Sequence, residues 1–274
     1  VLGIPDSVMP HVRRFGFSGV FAVGVVVVMV FGINPITVLT GQVAEPLPHT
    51  PLTALADLET GKATPEDLVD AVSRETNGFW ERGFRSAAAF YPPVSLSMVE
   101  SSRELGCGLS GSSIGTFYCP QNSTIYVDMA AYADLVAAYP AQGHLAQTYL
   151  IGLAYGHHVQ NAQDLFETVS APGLSAEARV VLEQRMSAQA ACYTGASTKW
   201  AGLDMLLDDA ATANAIASGL AGGGDVTRVP SRAEMALPRD FAPAPAAFNK
   251  AWFDAGYAIP AIGTCRLEKI GLPD

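Results

Sequence analysis

Charge is scarce in this sequence. Only 15% of its 274 residues are ionisable Asp, Glu, Lys or Arg, and the 16 basic residues are outnumbered by 26 acidic ones, for a net charge of −10. A broad basic footprint of the kind that grips nucleic acid is therefore absent, and no nucleic-acid partner is expected. No internal repeat is present, which excludes a solenoid or propeller architecture. Cysteine is limited to four residues, Cys107, Cys119, Cys192 and Cys265. None of them forms a Cys-x-x-Cys pair, the spacing from which thiolate zinc modules are usually built. In an exported domain an even count points to disulfides, with three pairings open and a four-thiolate zinc site as the rival. The length accommodates one large domain or two small ones, with a sizeable core either way.

The most local absence is at the N-terminus. Residues 15–33, FGFSGVFAVGVVVVMVFGI, carry no charge and are long enough to cross the hydrocarbon layer as a helix. Arg13 and Arg14 precede the run, whereas Glu45, Asp57 and Glu59 come after it at a distance. The positive-inside rule then keeps residues 1–14 cytoplasmic and exports the chain beyond a 15–35 anchor. A buried core segment is the bland alternative. A signal peptide cleaved near Gln42-Val43-Ala44 is the other, with a poorly defined small-residue exit. Pro46, Pro48 and Pro51 mark residues 36–63 as a linker. Thr64-Pro65-Glu66-Asp67 then reads as a helix start, with Thr64 as cap, proline at the first position and an acidic residue three after the cap. That helix is expected to end near Asn77-Gly78.

Residues 141–162, AQGHLAQTYLIGLAYGHHVQNA, read as one long helix without proline, with Leu145, Tyr149, Leu150, Leu153 and Tyr155 mostly three and four apart. Near its end His157 and His158 stand side by side. A zinc-protease helix requires His-Glu-x-x-His, because imidazoles four apart share one face and the glutamate polarises the attacking water. With His157 as the second histidine, the first ligand position holds Leu153 and the general-base position holds Ala154. On its own, a buried histidine pair satisfied by neighbouring polar groups is the plainer explanation of these residues.

The context is more specific. Tyr149, Gly156, His157, His158, Val159, Gln160 and Asn161 match the active-site helix of the putative neutral zinc metallopeptidase family, and the chain resembles that family from about residue 31 to 265. Other matching elements are the Gly32-Ile33-Asn34-Pro35 turn, the aromatic run of Trp80, Phe84, Tyr91 and Pro93, and CGLSGSSIGTFYC with Thr116 in place of a proline. Gln189, Ala190, Cys192, Tyr193 and Gly195 match a further segment, within a helix expected over about 175–209. Trp252, Phe253 and Gly256 match the last. In the 175–209 helix Ser187 stands where the resemblance places a glutamate as third metal ligand, and Ala191 where it places an aspartate orienting a ligand histidine. Asn249 replaces an arginine. The resemblance further implies disulfides Cys107–Cys119 and Cys192–Cys265.

The resemblance implies a mostly helical α+β fold: a zincin-like metallopeptidase domain over residues 64–274, behind a single N-terminal transmembrane helix in the bacterial plasma membrane. It also implies that the strand Ile125–Asp128 is an edge beside the cleft, onto which a substrate peptide could add. Of the four positions that would carry the chemistry, only His157 is retained. A serine hydroxyl supplies no carboxylate charge to a zinc site, so no cofactor and no catalytic residue is expected. The expected role is that of a catalytically inactive homologue serving as an accessory or interaction subunit of an envelope or membrane complex. The bilayer would be engaged through 15–35, and a peptide in the former cleft is an alternative occupant. A peptide-binding or sensing module is the second hypothesis. The third is a residual hydrolase with displaced ligands drawn from His144, His157, His158 and Glu183.

Overall fold

The computed structural model describes residues 54–100, 115–201, 209–222, 228–229, 239–240, 243–260 and 262–267. The chain divides into two units, and all the described residues belong to the second, Pro51–Asp274. The expected anchor at 15–35 and Cys107 lie outside the described residues. Among those described, no helix is long and apolar enough to cross a membrane.

The second unit is a mostly helical α+β domain. Helix α1 (Ala54–Glu59) falls within the stretch expected to be linker and buries Leu55. Helix α2 (Pro65–Ser86) starts as its sequence dictates. The Asp67 amide donates to Thr64 Oγ1 at 3.2 Å, and the Thr64 amide donates to Asp67 Oδ2 at 2.8 Å. This reciprocal box satisfies two donors that the first turn would otherwise leave unpaired. The helix does not end at Gly78 but continues for two more turns. A helical glycine costs only about 1 kcal/mol relative to alanine, and continuation buries Trp80 and Phe84, a larger gain.

Three short strands come next: β1 (Ser95–Val99), β2 (Thr116–Cys119) and β3 (Thr124–Asp128), in the order β1-β3-β2. β3 is parallel to β1, with Ser97 opposite Tyr126, and antiparallel to β2, with Phe117 opposite the same Tyr126. The expected edge strand is therefore the central one. Its backbone groups are taken on both sides, so no peptide can add to β3.

Asp128 closes the strand and caps helix α3 (Met129–Ala138), accepting the Ala130 and Ala131 amides at 3.0 Å. The motif helix α4 (Gly143–Ala162) is the next element, and the short α5 (Leu165–Val169) succeeds it. Helix α6 (Ala176–Trp200) ends well short of residue 209, and α7 (Asp209–Gly222) is a separate helix. The two-residue strands β4 (Arg228–Val229) and β5 (Arg239–Asp240) pair antiparallel. Helix α8 (Ala246–Ala258) and a 3₁₀ turn (Ile262–Cys265) complete the described chain.

Helix α4 is the axis of the domain. Every residue from Ala146 to Gln160 is buried, which explains why its sequence is apolar or small nearly all round. One side meets a core built from α2, the sheet and Tyr193, including Leu68, Val72, Trp80, Tyr118 and Ile125. The other meets a core of Leu135, Ala190, Ala191, Ile216 and Phe253. Close approach to α6 depends on two glycines. A Cβ on Gly156 would lie 2.9 Å from Ala190 Cα, and one on Gly152 would run into the Thr194 methyl. Cys192 and Cys265 form a disulfide that ties the C-terminal turn to α6, one of the two pairs expected. Cys119 is also disulfide-bonded.

Candidate functional site

The motif positions lie in the interior, where α4 packs against α6 and α8 packs against the same α6. Leu153 and Ala154 are each 2% exposed, and His157, Ser187 and Ala191 are fully buried. Leu153 and Ala191 belong to the same apolar core, beside Tyr149, Ala190 and Phe253. Ala154 turns to the opposite core, among Ile151, Tyr155 and Cys192. Where the family pattern has a ligand and a base, this chain has two well-packed hydrocarbon side chains.

His157 is held by amides. Gln160 Nε2 donates to the Met186 carbonyl at 2.8 Å and to Gln189 Oε1 at 2.9 Å. The Gln160 amide oxygen therefore faces His157 Nδ1, 2.8 Å away, and that nitrogen is the donor. Gln189 Nε2 in turn donates to the Cys265 carbonyl at 2.8 Å. The relay runs from the motif helix through α6 to the disulfide-tied turn, and each member is buried. Buried amides cross-linked in this way fix a single arrangement of the three segments.

Ser187 is not idle. Asn249 Nδ2 on α8 donates to its hydroxyl at 3.1 Å, and both residues are fully buried. The two positions at which the family pattern carries an acid and an arginine thus form a neutral hydrogen-bonded pair. A neutral pair avoids the desolvation of two charges that a buried ion pair demands. The other family departure with a visible partner is Thr116, whose Oγ1 accepts from Gln147 Nε2 at 2.7 Å and so ties β2 to α4. A proline could not provide that contact.

The other described histidines, His144 and His158, have partners of their own. Tyr118 donates its hydroxyl to His158 Nδ1 at 3.1 Å, and His158 Nε2 donates to the Pro92 carbonyl at 3.0 Å. Asn161 Nδ2 donates to the same tyrosine oxygen at 2.9 Å. With both nitrogens committed and the ring buried, His158 is held neutral, and burial lowers its pKa. His144 Nδ1 pairs with Tyr132 Oη at 2.7 Å. Glu183 is buried on α6, one turn before Ser187. Among the described residues, no three His, Cys, Asp or Glu side chains come together as a metal-binding group. The donor set at the motif does not fit a zinc ion: one imidazole, two hydrocarbons and a hydroxyl already bonded to an amide supply neither the ligands nor the negative charge such a site uses.

Several of these partners were hidden in the sequence. Ser187 and Asn249 are 62 residues apart, and the only signal joining them was that both depart from the family pattern. Gln160 and Gln189 matched the pattern but carried no hint of their mutual contact.

The fold and the motif helix define a mostly helical α+β protein of metallopeptidase type. The model of the putative neutral zinc metallopeptidase family matches residues 9–267, and the chain belongs to that family. It is 30% identical over 167 residues to the uncharacterized protein YpfJ of Escherichia coli (strain K12), an alignment covering 60% of this chain and 56% of YpfJ. The chain thus spans little more than half the length of that relative. It is also 27% identical over 241 residues to the uncharacterized protein Rv2575 of Mycobacterium tuberculosis (strain ATCC 25618 / H37Rv), covering 84% of this chain and 80% of the relative. No solved structure matches.

Proposed function

We propose that this chain is a non-catalytic member of its family, a zincin-like scaffold that serves as an accessory or interaction subunit of a bacterial envelope or membrane complex. The observation that carries this reading is the filled motif site. Leu153 and Ala154 are packed into two cores, and Ser187 is hydrogen-bonded to Asn249. A zinc hydrolase needs a multi-ligand metal and a base positioned together, and one retained imidazole provides neither. The scaffold around the site is nevertheless complete, with its disulfide, capping box and amide relay in place. Retention of the fold without the chemistry favours a role in binding.

The location proposed is the outer face of the plasma membrane, with residues 15–35 as a single-pass anchor and the N-terminus cytoplasmic. The Cys192–Cys265 disulfide supports an oxidising compartment for the domain, and the placement of Arg13 and Arg14 supports the orientation. The test is affinity capture of the full chain from detergent-solubilised membranes of its host. Stoichiometric co-purifying membrane or envelope proteins are expected. Recovery of the chain alone under several mild detergents would overturn the subunit role.

A further inference from the structure

Residues 86–99, SAAAFYPPVSLSMV, run from the end of α2 through β1 without an Asp, Glu, Lys or Arg. None of them is buried. Two of the four large apolar side chains exposed among the described residues belong to this strip, Phe90 at 79% and Met98 at 36%. Ala87, Ala88, Ala89 and Pro93 are exposed as well, and Val94, Leu96 and Val99 are half-buried. Apolar residues scattered singly on a surface need no explanation, but a continuous uncharged strip marks a contact. None of the motif positions lies in it.

The strip is held firmly at its start. Ala88 takes a left-handed turn at φ 52°, a conformation alanine seldom adopts, and the Ala89 amide closes back on the Phe84 carbonyl at 2.9 Å. Tyr91 packs its ring 5.0 Å from that of Phe84 and 5.1 Å from that of His158. The Pro92 carbonyl accepts from His158 Nε2 at 3.0 Å. Phe90 stands between these fixed points, so the exposure of its ring belongs to a braced turn.

The length of the tether points to what covers the strip. The anchor proposed above ends at residue 35 and α1 begins at Ala54, and residues 36–53 reach at most about 65 Å even when fully extended. A domain tethered at that range meets the bilayer at high effective concentration, so a modest apolar contact is enough. An uncharged strip enters the lipid interface without desolvating an ion. Arg85, exposed just ahead of it, has a stem long enough to rest its guanidinium at a headgroup phosphate. β1 is an outer strand of its sheet, and the outward backbone groups of such a strand must stay hydrated, which limits entry to the headgroup level. We propose that the 86–99 strip rests on the outer surface of the membrane that carries the anchor, with Phe90 inserted among zwitterionic lipids. The net charge of −10 opposes an anionic surface. The inference rests on the anchored reading given above and is independent of whether the motif site is catalytic.

The test is tryptophan quenching in the full chain reconstituted into phosphatidylcholine vesicles, with an acyl-brominated phosphatidylcholine as quencher. Trp80 is buried, and Trp200 and Trp252 are half-buried, so the parent protein supplies the baseline. The emission added by Phe90→Trp, and separately by Met98→Trp, should fall about twofold or more in brominated vesicles, as for a group at the boundary of headgroups and acyl chains. Adding Phe90→Asp to Met98→Trp should abolish that quenching at unchanged Tm, because Phe90 is exposed. Failure of the full chain to float with the vesicles would overturn the anchor and this inference together. Flotation with the added emission unquenched would overturn the docking alone and leave the strip to a protein partner. Quenching indifferent to Phe90→Asp, or seen only when phosphatidylglycerol is included, would also overturn the assignment.

Discussion

Restoring the first motif histidine tests how thoroughly the site has become core. Leu153 is 2% exposed and packs with Leu135, Tyr149, Leu150, Ala190, Ala191 and Phe253. Leu153→His removes a buried isobutyl group, worth about 2–3 kcal/mol of transfer free energy, and introduces a polar ring with no partner in that cluster, at a further cost of about 1–3 kcal/mol. A loss of about 3–6 kcal/mol is expected, a large part of the roughly 5–15 kcal/mol that stabilises a typical domain. Urea denaturation, with and without zinc and alongside Leu153→Ala as the simple cavity control, provides the measurement. If the introduced imidazole and His157 formed a competent site, zinc at about a hundredfold excess over its Kd would return about 2.7 kcal/mol. Zinc is expected to shift the midpoint negligibly, because Ser187 and Ala154 still supply no carboxylate and Ser187 is bonded to Asn249. A Leu153→His protein as stable as the parent, or one rescued by zinc, would refute the reasoning.

Other perturbations probe the scaffold. Reducing Cys192–Cys265, which spans 73 residues, should cost about 4 kcal/mol by the loop-closure relation, read as a lowered denaturation midpoint in reductant. Gly256→Ala would drive a methyl into the Cys192 carbonyl oxygen of α6. That backbone cannot yield, so a loss of about 3 kcal/mol is expected, measurable by thermal melting. Burial lowers the His158 pKa relative to the unfolded chain, so the unfolded state takes up its proton first as pH falls. The contribution is fully present above about pH 6.5 and is lost as pH falls toward the lowered folded value. A plot of stability against pH from about 7.5 to about 5 should therefore slope downward, and His158→Gln should flatten it. An unchanged slope would count against the buried neutral ring.

What could be read from the sequence was mostly local. Thr64, Pro65 and Asp67 specify a helix start within one turn, and the capping box forms as they dictate. The uninterrupted 141–162 pattern gives α4, which begins two residues late, at Gly143. The errors arose where distant contacts outweigh local preference. Gly78 does not stop α2, because Trp80 and Phe84 find a core beyond it. β3 became the central strand because its neighbour β1 comes from before the 101–114 segment, a pairing that no local pattern encodes. At the site, the replacements at 153, 154 and 187 were visible as identities. Their consequence was not: which core each side chain enters, and that Asn249 on α8 meets Ser187, depend on how α4 and α8 pack against α6.

The central claim is that the motif site holds no working metal. Its most direct test is the zinc content of the full chain purified without chelator or metal-affinity resin, measured alongside hydrolysis of a broad peptide library. Zinc far below one ion per chain and no cleavage above background are predicted. One zinc per chain, with cleavage abolished by His157→Ala, would contradict the account.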